Sequence, residues 1–137
     1  MFDVVHFQDG AIAFVLAFAL AGAFAVVFKL IYSAVTPYNE RELLKSGNLA
    51  APIVLAGALL GYVMALASAM SNTVSLLEFA AWAALSGAIQ IFAFLIVRRL
   101  VLPNVKQHIE NNEIGPAIYL ASISVAVGIL NAACMTY

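Results

Sequence analysis

Four apolar runs divide this chain, and all six of its basic residues fall in two short segments, at the ends of the first and the third run and in the linkers that follow them. Lys29, Arg41 and Lys45 belong to the first linker region, and Arg98, Arg99 and Lys106 to the second. No Lys or Arg occurs in Met1–Phe28, in Ala50–Val97 or in Gln107–Tyr137. A helix needs about 20 predominantly apolar residues to span a membrane. Short basic loops resist translocation and stay in the cytoplasm. The pattern predicts four membrane-spanning helices, two polar linkers in the cytoplasm, and both termini on the periplasmic or extracellular side.

Composition closes off the soluble alternative. With 65% hydrophobic and 9% charged residues, the chain has too little polar surface to cover a water-exposed globule. A net charge of −1 gives no electrostatic grip on nucleic acid. A single cysteine allows no internal disulfide. The N-terminus carries Asp3 and Asp9 with no basic residue, unlike the positive start of a cleaved signal peptide, so the first run reads as a retained span.

Capping signals place the elements. The first span is expected from about Gly10 to Ser33, with Asp9 as N-cap and Pro37 ending it. Asn39, with Glu42 three residues on, resembles a capping box. A short interfacial helix from about Glu40 to Ser46 should follow, stopped at Gly47. The second span is expected from about Leu49 to Met70 with Pro52 in its first turn, and a hairpin over Ser71–Val74. Ser75 and Glu78 form a capping box for the third span, which runs to about Val101 before Pro103. Asn104–Asn112 reads as a second short surface helix, and the fourth span as Ile114 to Met135. Tyr32, Tyr38 and Tyr119 would lie at the inner interface, Trp82 and Tyr137 at the outer one.

The two halves repeat at a spacing of about 65 residues. Leu30 to Met70 and Leu95 to Met135 each read as helix end, proline, short charged helix, polar stop and proline-started span. Repeat units of about 10–71 and 75–137 would each hold two spans and enter the membrane from the same side, in parallel topology. The expected fold is an all-α membrane protein: four spans in two such units within a single domain.

Few residues offer chemistry. No charged side chain lies in the middle of a span, where ion relays and coupled transporters place theirs. Gln90, Asn131, Ser68, Ser122 and Ser124 are the polar residues of interest within the spans; they bond between helices or line a pore. Gly57 and Gly61 form a GxxxG pair that packs helices closely, within the bundle or between subunits. Glu40, Arg41, Glu42 and Lys45 form the densest charge cluster, either a solvated helix face or a docking patch for a cytoplasmic protein. Cys134 reads as a small packing residue. His6 and His108 fall on opposite sides of the membrane and cannot share a metal. Nucleophile elbow, P-loop and zinc-protease motifs are absent, so no enzyme, cofactor or metal is expected.

Three stretches carry a family resemblance: Tyr32-Ser33 with Thr36-Pro37-Tyr38-Asn39-Glu40, then Leu59-Leu60-Gly61-Tyr62-Val63, then Asn131-Ala132-Ala133-Cys134-Met135-Thr136 followed by an aromatic. Together they resemble the YjfL-type bacterial inner-membrane proteins over nearly the whole chain, with Arg98-Arg99 as a departure. The resemblance implies an inner-membrane location and a repeated two-helix module, and assigns no activity or functional residue. Relatives are often encoded near phage-shock-type or polyamine- and glutathionylspermidine-related genes, which associates them with envelope stress. The function expected is an oligomeric structural or interaction protein of the inner membrane. Alternatives are a small homo-oligomeric channel for ions or small solutes and an accessory subunit of a larger membrane complex.

Overall fold

The computed structural model describes residues 2–135. Tyr137, expected at the outer interface, lies outside the described residues, as does Thr136 of the terminal motif. The described chain forms six helices: α1 (Val4–Val35), α2 (Glu40–Lys45), α3 (Ala50–Asn72), α4 (Leu76–Leu100), α5 (Val105–Glu110) and α6 (Ile114–Cys134). Four of them, α1, α3, α4 and α6, are long and apolar enough to span a membrane.

Local chemistry explains most boundaries. Asn39 Oδ1 accepts the Glu42 amide at 3.2 Å and starts α2. Ser75 Oγ accepts the Glu78 amide at 3.1 Å and starts α4. Gly47 sits at φ +86°, the left-handed geometry that ends a helix. The Gly47 amide bonds to the Leu44 carbonyl and the Asn48 amide to the Leu43 carbonyl, a Schellman closure of α2. The end of α5 repeats this with Asn112 at φ 56°: its amide bonds to the Ile109 carbonyl, and the Glu113 amide to that of His108.

The N-terminus of α1 corrects the sequence reading. The helix begins at Val4, and Asp3, not Asp9, caps it, accepting the Val5 and His6 amides at 3.0 and 3.3 Å. Hydropathy falls at Asp9, but nothing between Val4 and Asp9 breaks a helix, so the backbone ladder continues through it. At 32 residues α1 is about 48 Å long, well beyond the roughly 30 Å of a hydrocarbon core. At its far end α3 likewise runs two residues past the expected Met70, to Asn72.

The core lies between α3 and α6, which run parallel, with α4 antiparallel against both. Gly57 faces Ala121; Gly61 faces Ser124 and Gly128. At each of these glycines an added Cβ would collide with backbone of the opposite helix. Bare backbone is what allows the two axes to close up. Helix α1 is attached differently. Phe24 packs edge-on against Phe79, Phe28 stacks on Tyr62 with centroids 4.4 Å apart, and Tyr32 meets Phe94 at 5.0 Å. Only Phe28 and Tyr32 of α1 are buried; Phe14 and Phe18, in its other half, face outward.

Candidate functional site

Both linkers lie at one end of the bundle, and two asparagines tie them together. Asn48 Nδ2 donates to the Ile109 carbonyl at 2.8 Å, and its Oδ1 accepts the Ala51 amide at 2.9 Å. Asn112 Oδ1 accepts the Leu49 and Ala50 amides at 2.8 and 3.1 Å. The first turn of α3 is therefore capped by one residue from each linker. His108 Nδ1 and Glu113 Oε2 pair at 2.9 Å beside the clasp. The Arg98 guanidinium donates to the Val35 carbonyl, one of the acceptors left open at the end of α1.

The charge cluster is split by the fold. Glu40 and Arg41 turn toward the elbow between α1 and α2, where they line a cavity with Lys29, Ser33, Thr36 and Tyr38. Glu42 and Lys45 lie outside that cavity and are exposed. Thr36 Oγ1 donates to Glu40 Oε1 at 3.3 Å. The other oxygen, Glu40 Oε2, is buried with no hydrogen-bond partner, and so is Ser33 Oγ. Tyr38 is buried, its hydroxyl 3.5 Å from that of Tyr32. Burial pushes the Tyr38 phenol up to about 12, so the hydroxyl keeps its proton.

Within the spans, polar side chains point at neighbouring helices. Gln90 Nε2 donates to the Ser124 carbonyl at 2.7 Å, while its Oε1 is buried without a partner. Asn131 Nδ2 donates to the Ser86 carbonyl at 3.2 Å, and Ser68 Oγ to the Ala132 carbonyl at 2.6 Å. Tyr62 Oη donates to the Ala83 carbonyl at 2.8 Å. Ser124 is buried, whereas Ser122 is exposed on a shallow groove between α3 and α6. Gly57 and Gly61 are used up in the α3–α6 contact inside one chain. Cys134 is exposed on the last turn of α6 and is not a packing residue.

Sequence reasoning missed the clasp and the Arg98 contact. Asn48 and Asn112 read as ordinary stops, because their partners lie some 60 residues away and leave no local pattern. The one available signal was Asn112 standing where the first linker has Gly47, both suited to a left-handed residue.

No solved structure matches the chain. Among curated proteins it is similar to the UPF0719 inner membrane protein YjfL of Escherichia coli strain K12, 38% identical over 133 residues, covering 97% of this chain and all of the relative. The protein of the same name in Escherichia coli O157:H7 matches to the same extent. Four apolar helices and these relatives make the protein a multi-pass inner-membrane protein. The profile of a Domain of Unknown Function, DUF350, covers residues 6–135, nearly every residue of the spans and linkers just described, and the chain belongs to that family.

Proposed function

We propose that the protein is an interaction protein of the inner membrane, working as an oligomer or complex subunit and recruiting a soluble partner at its linker end. The linkers face the cytoplasm and both termini face the periplasm, a reading supported by the confinement of all six basic residues to the linker end. The observation that carries the proposal is the asparagine clasp. It joins two otherwise separate loops into one preorganised polar face, and preorganisation lowers the ordering cost of binding. Glu42 and Lys45 from one short helix and Lys106 and Glu110 from the other are exposed on that face. The two linkers belong to parallel two-span repeats, a reading supported by their matching Schellman closures at Gly47 and Asn112. A recruiting face suits the envelope-stress association implied by the family resemblance.

The channel alternative has less support. Gln90, Asn131 and Ser124 are buried inside one chain, so a pore would have to run between copies, and of the five polar candidates Ser122 alone is exposed. The test is gentle purification from native membranes, with mass determination of the intact complex. Wild-type protein should carry a soluble chain at fixed stoichiometry, and the double variant Glu42→Ala, Lys45→Ala should lose it while still inserting. A homo-oligomer alone that conducts solutes after reconstitution would replace this reading with the channel.

A further inference from the structure

The elbow between α1 and α2 holds a cavity of about 490 Å³, and a smaller one of about 220 Å³ opens beside it against Leu44, Pro52 and Leu55. The two share Lys29, Glu40 and Arg41. Lys29 belongs to the last two turns of α1, at headgroup depth for a helix that ends at Val35. The nearest charges leave one another unused. The ion pair His108–Glu113 is elsewhere, and among the described residues neither the Lys29 nor the Arg41 side chain has a hydrogen bond or ion pair. Glu40 Oε2 is buried and accepts no hydrogen bond; Ser33 Oγ is buried and makes none. A buried carboxylate oxygen without a donor is costly, and a native site normally supplies one. The cavity therefore offers two cations for an anion, and just beneath its wall lie a hydroxyl and a carboxylate oxygen that a turn of the Ser33 and Glu40 side chains brings to its surface.

We propose that this elbow binds the headgroup of phosphatidylethanolamine, its phosphate on Lys29 and Arg41 with Ser33 and its ammonium donating to Glu40 Oε2. Basic pockets at the ends of membrane helices take lipid phosphates, and the carboxylate favours a headgroup with a cationic N–H donor over one with only neutral hydroxyls. The apolar wall of Leu44 and Leu55 continues from the headgroup pocket toward the hydrocarbon and gives an acyl chain its path. The site does not rest on the partner-recruiting reading, whose test residues Glu42 and Lys45 lie outside the cavity.

Native mass spectrometry of the full chain tests this, using phosphatidylethanolamine, phosphatidylcholine and phosphatidylglycerol of identical acyl chains as probes. Phosphatidylcholine carries the same charges but no N–H. Wild-type protein should retain phosphatidylethanolamine about tenfold better than either, the size of one charge-assisted hydrogen bond. Glu40→Gln should bring phosphatidylethanolamine down to the level of phosphatidylcholine. Should that variant not accumulate, Arg41→Ala, which removes an exposed and unpaired cation, should weaken retention of all three and keep their order. Equal retention of the three lipids by wild type, or a preference for phosphatidylglycerol, would overturn the proposal. Displacement of the lipid by soluble phosphoethanolamine at comparable concentration would do so too, because it would make the free headgroup the ligand.

Discussion

Helix α1 is the most apolar of the four spans and the least buried, whereas α3, with its glycines and serines, is the most buried. In water the order would be reversed, since apolar area drives association there. In a bilayer a Phe on the outside of α1 is as well solvated by lipid tails as by protein. Contact then depends on what lipid cannot give: close backbone approach and hydrogen bonds to carbonyls. Helix α3 has both, through Gly57, Gly61 and Ser68, and α1 has neither along its first half, where Phe14 and Phe18 face outward. What holds α1 lies in its second half: the packing of Leu20, Ala21 and Ala25 on the core, the aromatic contacts from Phe24 to Tyr32 and the Arg98 bond to Val35.

The largest break should come at Gly128. Its Cβ would collide with Gly61 backbone, so Gly128→Ala must push α3 and α6 apart. It should cost about 3 kcal/mol, read as a loss of thermal stability in detergent, or stop the protein accumulating. A wild-type melting curve would show that the helices have another way to meet. Next is Asn112→Ala. It removes an acceptor from two amides and puts alanine at a left-handed φ, for about 2 kcal/mol. Asn112→Gly should recover only the backbone share, which separates the hydrogen bonds from the turn. The smallest effect belongs to Gly22→Ala on α1, where an added Cβ meets nothing within 4 Å. Its melting temperature should move by no more than about 0.5 kcal/mol would move it. A large loss there would place an unseen neighbour against α1 and erase the contrast between the two helices.

Element order was legible because it is written locally. Pro37, the Asn39 cap, Gly47 and the Ser75–Glu78 pair each act within a few residues, and each sits where its chemistry requires. The start of α1 was misread because hydropathy measures how much of a helix suits lipid, not where its hydrogen bonds begin. The spans are apolar around their whole circumference, so periodicity does not reveal which face turns inward. Gln90 and Asn131 are recognisable as residues that must avoid lipid, but not which carbonyl each would meet. The clasp and the elbow cavity are beyond local reading, since both join residues from separate elements. Glu40 and Arg41 look like their neighbours Glu42 and Lys45 until the α1–α2 elbow sets one pair along the wall of its cavity.

A ribosome delivers the start of α3 to the membrane long before it delivers Asn112. Until then the Leu49 and Ala50 amides have no side-chain acceptor, and Asn48 Nδ2 has no Ile109 carbonyl to meet. The start of α3 thus stays unfinished until the second linker is made. Truncation within the second linker, ahead of Ile109 and Asn112, would leave three spans with the first turn of α3 uncapped by its partner loop.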